Sequence, residues 1–322
     1  MTTLTASKPA LPGPNKKKMA KKRSEALTAY AFMAPWIFVF VVFIAFAIGY
    51  AFYLSFTKYN LLRPPEWWGL EGYKRALCLE ALVTPAGKIP NCDPLFITKA
   101  LPQTFLYTAI VVPIQTIVSL VLAFALDQKI RFRRMFRTIF YLPSVTSSVV
   151  ISLIFVWLFS PAGIVNQILG IDVNWLNQTS TAFYVIMLLN IFTTSGSLML
   201  IFLAGLQDIP QTMYEAASVD GANKFQIFTR ITVPMLRPVI FFVVTTGVIG
   251  CFQVFDQIFV MTAGGPLDST TTVAYLIYKW AFRDTTVKMG QAAAMAFILA
   301  IIILTVTFIQ RRFIEGSGTV EK

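Results

Sequence analysis

The sequence predicts an all-α membrane protein of six transmembrane helices, and three observations carry that prediction. Hydrophobic residues make up 56% of its 322 residues and charged residues only 13%, about half the usual share in a soluble domain. Six apolar runs are long enough, at about 20 residues each, to cross a bilayer core of roughly 30 Å. None of the 27 Lys and Arg residues falls inside those runs.

Residues 1–27 read as a basic, Pro-containing tail that includes "KKKMAKKR". The apolar run behind it is too long for a signal peptide's core, so the tail is expected to stay uncleaved. The spans are then expected from Thr28 to Phe56, Pro102 to Leu126, Ile139 to Ser160, Phe183 to Leu206, Val239 to Met261 and Met289 to Gln310. They are apolar on every face, and in lipid only helices and closed barrels satisfy their own backbone groups. Their length excludes the alternating strands of about ten residues that build a barrel. The organisation expected is a tail at 1–27, a six-helix domain at 28–312 with a polar loop at 207–238, and a short tail at 313–322.

The net charge of +12 is an orientation signal, not a nucleic-acid footprint, because of where the cations sit. The amino-terminal tail carries seven, the loop "DQKIRFRRMFRT" five, and the 207–238 loop and the carboxy tail three each. These four segments alternate along the chain, so the positive-inside rule places them and both termini on the cytoplasmic side of a multi-pass protein. On the other side, Phe159 to Ala182 has no Lys or Arg and Thr262 to Lys288 has three. Thr57 to Leu101 has six, but charges in a long loop weigh less in orientation. Anionic lipid would aid the same arrangement.

Several chemistries are missing. The chain has no histidine, which excludes a His base, a His-containing zinc site and a Ser-His-Asp set. No G-x-x-x-x-G-K-[ST] occurs, since Gly87-Lys88 lacks both the earlier glycine and the following hydroxyl residue, so the chain is not its own P-loop ATPase. Asp256 is the one acid well inside a span and has no carboxyl partner there for hydrolysis. No catalytic residue, metal ligand or cofactor is expected on this chain. Cys78 and Cys92 share one loop and could pair, although spacing alone does not establish it; Cys251 lies in the fifth span.

The loop "PQTMYEAASVDGANKFQIFTRITVP" reads as helix, turn, helix. Pro210 opens the first helix, Gly221 favours its end, and the second runs through Phe225 and Ile231 until Pro234, with Asp220 as its expected cap. Its apolar content fits either an interfacial amphipathic pair or a docking element. Glu215-Ala216-Ala217, Asp220-Gly221-Ala222, Phe228, Ile231, Pro234 and Pro238 together resemble the EAA loop of permease subunits of binding-protein-dependent ABC importers. The likeness is to the carbohydrate group that includes the maltose and glycerol-3-phosphate permeases. "FQVFDQIFVMTAGGP" at 252–266 and "PSVTSSVVISLIFVWLFSPAGIVN" extend it to about residues 28–312.

The resemblance implies a type I ABC importer-like fold in a bacterial or archaeal cytoplasmic membrane. It also implies a second, different permease, two copies of a cytoplasmic ATPase that hold ATP and Mg, and an extracellular or periplasmic solute-binding protein. The coupling positions it points to are Tyr214, Glu215, Ala216, Ala217, Asp220 and Gly221.

A polar solute needs hydrogen-bonding groups at membrane depth. Asn190, Thr194 and Ser197 are spaced four and three apart, on one helical face, in the region that contributes to the sugar site of the maltose permease. Small polar residues also glue membrane helices together. Gln253 and Asp256 are candidates on the fifth span, where Gly247, Cys251 and Val254 replace the amides of the maltose permease and argue against the same contacts. The expected solute is a sugar or sugar-like molecule. Glycerol-3-phosphate stays open, although no span has a Lys or Arg to read a phosphate. An ion-coupled transporter would need buried acids in several spans and an internal repeat; a membrane enzyme would need a catalytic constellation, and a scaffold would leave uptake intact when lost.

Overall fold

The computed structural model describes residues 16–78, 94–128, 131–283 and 288–315. The chain divides into two units, Met1–Tyr53 and Leu54–Lys322. The first holds α1 (Lys16–Val39), a π-helical stretch Phe40–Ala45 and most of α2 (Phe46–Ser55). Together they carry the apolar span Leu27–Ser55. Ring pairs one turn apart line it, with Trp36 and Phe40 stacked at 5.4 Å.

The second unit begins with an antiparallel pair, β1 (Thr57–Lys58) and β2 (Glu66–Trp67), in register Thr57↔Trp67 and Lys58↔Glu66. After α3 (Glu71–Ala76), a π-helical turn Phe96–Ala100 runs into α4 (Leu101–Asp127). Then come α5 (Arg133–Val145), α6 (Ser148–Leu158), α7 (Ile164–Leu169) and α8 (Ala182–Gln207). The loop contributes α9 (Gln211–Val219), α10 (Lys224–Ile227) and α11 (Val233–Met235). The remainder is α12 (Arg237–Phe252), α13 (Asp256–Met261), α14 (Val273–Tyr278) and α15 (Met289–Glu315).

Among the described residues, four helical stretches are long and apolar enough to cross a membrane: Leu27–Ser55, Phe96–Asp127, Ala182–Gln207 and Met289–Arg312. Two bent pairs bring the number to six: Arg133–Val145 with Ser148–Leu158 at 97°, and Lys224–Met235 with Arg237–Phe252 at 67°. The third span is therefore not the continuous helix expected over 139–160. Thr146 and Ser147 turn extended, with ψ of 143° and 131°. Ser144 and Thr146 hydroxyls bond back to the Tyr141 and Leu142 carbonyls at 2.7 and 3.0 Å, satisfying groups that a continued helix would have used.

The fifth span also stops early. It was expected to reach Met261, but α12 ends at Phe252 and α13 restarts at Asp256. The Thr272 hydroxyl donates to the Val254 carbonyl in the gap at 3.1 Å. In the loop, the second helix passes through Pro234 to Met235 and bends at Leu236, rather than ending at the proline. The Cys78–Cys92 pairing lies outside the described residues.

α8 packs along α4 and against α5, while α12 lies on α4 and α15. The main core holds Tyr107, Ile186, Phe252, Tyr275 and Met295, each at most 1% exposed. A second cluster of Leu126, Met199, Phe202, Leu206 and Leu236 sits at the loop end of the same helices. Lipid tails are as apolar as these side chains, so close fit and interhelical hydrogen bonds hold the bundle. The closest helix-to-helix fit among the described glycines is at Gly196 of α8, where a Cβ would stand 2.1 Å from the Phe140 carbonyl oxygen of α5.

Candidate functional site

α8 presents Asn190, Thr194 and Ser197 along one face, and all three line a cavity of about 280 Å³. α4 closes it with Gln115, and α12 with Thr246, Gly247, Gly250 and Cys251. Thr194 Oγ1 lies 2.7 Å from both Gln115 Oε1 and the Asn190 carbonyl, so one proton serves two acceptors. Gln115 is 2% exposed. Asn190 Oδ1 is buried with no hydrogen-bond partner among the described residues.

Two smaller cavities adjoin this one through shared walls. One of about 190 Å³ is lined by Asn190, Gln253, Asp256 and Gln257, with Val254 also on its wall. The other, about 150 Å³, takes Thr194 and Ser197 from α8, Gln257 from α13, and Thr146 and Ser148 from the break in the third span. Ser148 Oγ donates to Asp256 Oδ2, joining the starts of α6 and α13. Among the described lining residues Asp256 is the single charged group. The arrangement can exchange hydrogen bonds with a hydroxyl-rich molecule from amide and hydroxyl groups, and it offers no cation to an anion.

All five predicted solute-site residues thus line this connected set of cavities. Gln115 and Thr246 were not among them. The signal for Gln115 was an amide inside the apolar run "VVPIQTIV", the same membrane-depth polarity that singled out Asn190.

The loop lies at the other end of α8 and α12. Of the six coupling positions Ala217 is the buried one, at 8% exposure. Tyr214 is half-buried and hydrogen-bonded to Thr232 at 3.3 Å, tying α9 to the second arm. Glu215, Ala216, Asp220 and Gly221 are exposed. Gly221 adopts φ +76° with no atom within 4 Å of where a Cβ would stand, a conformation glycine takes without penalty. Asp220 does not cap the second helix. That role belongs to Asn223, whose side chain accepts from Gln226 N at 2.9 Å while Asn223 N donates to Gln226 Oε1 at 2.9 Å. Asp220 instead closes α9, its N–H bonded to the Ala216 carbonyl. Val219 and Phe225 stay 88% and 74% exposed.

This combination of spans, cavity and exposed two-armed loop can be set beside known proteins. Residues 115–316 match the model of the binding-protein-dependent transport system inner membrane component family. The chain belongs to that family. As a member it is a membrane-embedded transport component, not an enzyme, and has the type I ABC importer permease fold. It is 35% identical over 301 residues to the probable ABC transporter permease protein YesP of Bacillus subtilis, covering 91% of this chain and 92% of that one. The lactose transport system permease protein LacF of Rhizobium radiobacter is 35% identical over 227 residues, covering 68% and 76%. In fold the permease is similar to a chain of a bacterial alginate ABC transporter solved in complex with an alginate pentasaccharide-bound periplasmic protein. The TM-score is 0.74 at 22% identity, with 93% of this chain and 98% of that one covered. Permeases of this family work with an ATPase and a second permease. Nothing in these likenesses favours an ion-coupled transporter.

Proposed function

We infer that the chain forms one half of the path by which an ABC importer carries a neutral sugar or sugar-like solute. The observation that carries this reading is the connected polar cavity around Asn190, with a buried acceptor lacking a partner and no Lys or Arg among its described walls. Hydroxyl groups fit such walls; a phosphate finds only the Asp256 carboxylate there, which weighs against glycerol-3-phosphate. Asn190, Thr194, Ser197, Gln253 and Asp256 are the proposed solute contacts. The likeness to a lactose permease supports the same class.

The other half of the path is a second, different permease. Both termini and the 207–238 loop face the cytoplasm, where two ATPase copies hold ATP and Mg; this chain binds no cofactor. The six-helix domain runs over 28–312, flanked by basic tails at 1–27 and 313–322. A solute-binding protein docks on the opposite face.

Coupling follows from connectivity. The loop joins α8 to α12, and these two helices carry most of the cavity wall. α9, with Tyr214 to Ala217 and the Asp220-Gly221 turn, seats in a cleft of the ATPase, where Val219 and Phe225 supply apolar contact. When the ATPase pair closes, α9 moves with it, and its Tyr214–Thr232 tie passes the motion to the arm leading into α12. The walls then shift as rigid bodies between inward- and outward-open states.

The test is uptake of labelled sugars into vesicles holding this chain, its second permease, the ATPase and the binding protein, comparing wild type with Gly221→Asp. The new side chain meets no atom but strains the φ +76° turn at this exposed position, so the perturbation stays in the loop: assembly of the permease pair is expected to persist while uptake and uptake-linked ATPase activity fall. Intact coupling in this variant would remove the coupling role from the loop.

A further inference from the structure

A separate cavity of about 310 Å³ shares no lining residue with the solute path and gathers three cations, Lys58, Arg75 and Lys288, with Trp68, Asn60 and Gln291. Ion pairs elsewhere join Lys74 to Glu71, Arg133 to Asp127 and Lys279 to Asp268. No carboxylate among the described residues lies within 4.0 Å of the three cavity cations. Two of them rest on ring faces instead: the Arg75 guanidinium 4.6 Å from the Trp68 centroid and Lys288 Nζ 5.0 Å from the Trp280 centroid. Arg75 Nε is buried and has no hydrogen-bond partner among the described residues. A cation held on a ring face keeps donors for a further ligand, and like charges around one cavity repel until an anion enters.

The cavity also lies at the first turn of α15, a 27-residue helix whose N-terminal dipole favours negative charge. Its height in the membrane is set by the span Met289–Arg312, which begins one residue after Lys288. That span therefore meets the polar boundary at this point, where Trp rings and basic side chains sit among headgroups. We propose that Lys58, Arg75 and Lys288, at the N-terminus of α15, hold the phosphate group of an anionic phospholipid. The chemistry recognised is a phosphate oxyanion, and the position at the start of the span Met289–Arg312 assigns it to a lipid headgroup instead of to soluble phosphate.

The test uses the full chain in nanodiscs that mix phosphatidylglycerol with phosphatidylcholine, with co-retained lipid counted by native mass spectrometry. Wild type is expected to retain phosphatidylglycerol selectively. Arg75→Gln and Lys288→Gln, made separately so that one folding failure does not decide the matter, are expected to weaken retention about fivefold each. Lys74→Gln, whose side chain pairs with Glu71 and does not line the cavity, is expected to match wild type. Equal retention by wild type and both cavity variants overturns the proposal. So does binding of inorganic phosphate in pure phosphatidylcholine discs without any preference for phosphatidylglycerol, which makes soluble phosphate the ligand. Unchanged lipid retention with weakened docking of the binding protein also overturns it, by making the cavity a protein contact.

Discussion

Replacing Gly196 with alanine tests the tightest helix crossing beside the solute path. The new Cβ would stand 2.1 Å from the Phe140 carbonyl oxygen, 3.0 Å from the Phe140 carbonyl carbon and 3.1 Å from Tyr141 Cα. All three are backbone atoms, so no rotamer change relieves the clash. Ordinary contact begins at 3.4 Å, so α5 and α8 must part by about 1.3 Å here, a gap that forfeits more than half the attraction of facing atom pairs. Overpacking of this kind costs about 1–3 kcal/mol, and at about 2–4 °C per kcal/mol the melting temperature should fall by several degrees. Gly250→Ala is the matched control, because no atom lies within 4 Å of a Cβ there. The assay is thermal unfolding of both variants and wild type in one detergent, followed by intrinsic fluorescence. The reasoning is refuted if Gly196→Ala melts with wild type, or if Gly250→Ala falls as far.

A double-mutant cycle of Gln115→Leu and Thr194→Val in the same assay should give a coupling of about 0.6 kcal/mol, the average for interhelical hydrogen bonds in a membrane; zero coupling means the contact adds nothing to the bundle. Asn223→Ala removes the reciprocal bonds with Gln226 and should destabilise α10 by about 1 kcal/mol, seen as roughly fivefold faster amide exchange over 224–227. Asp220→Ala should leave that exchange unchanged. Asp256→Asn keeps an acceptor for Ser148 Oγ and should hold uptake near wild type, whereas Asp256→Ala should lower it about tenfold. Equal losses in both would assign the effect to charge instead of to the hydrogen bond.

The spans were legible because hydrocarbon imposes a length on every apolar run. Their interruptions were not, because the residues that satisfy them come from elsewhere. Ser148 meets Asp256 across 108 positions, and the Val254 carbonyl is taken by Thr272. No local pattern in "PSVTSSVV" announces a 97° turn. The loop was legible down to its glycine turn, since φ +76° at Gly221 is what helix-ending glycines adopt. Its cap was misread because Asp220 stands beside that turn, while the Asn223-x-x-Gln226 box lies just behind it. Helical spacing placed Asn190, Thr194 and Ser197 on one wall. Gln115 and Thr246 complete the wall from other spans, and which spans face each other is a tertiary fact.

The two interruptions explain why polar groups collect where they do. An unpaired backbone group in hydrocarbon costs several kcal/mol, so irregular backbone survives at membrane depth only where protein or a wet cavity surrounds it. Here each break borders a cavity: Thr146 and Ser148 line one, Gln253 to Gln257 the other, and Gln257 belongs to both. The two restarted helices are hydrogen-bonded through their opening residues, Ser148 and Asp256. Were α12 to continue unbroken, residues 253–257 would follow its helical spiral and no longer form one wall facing Asn190. Were α5 to run straight into α6, Ser148 would leave Asp256, and that carboxylate would lose its partner. The interruptions are therefore what brings the polar walls together, and the Ser148–Asp256 contact is where a shift of α13 would be felt by α6.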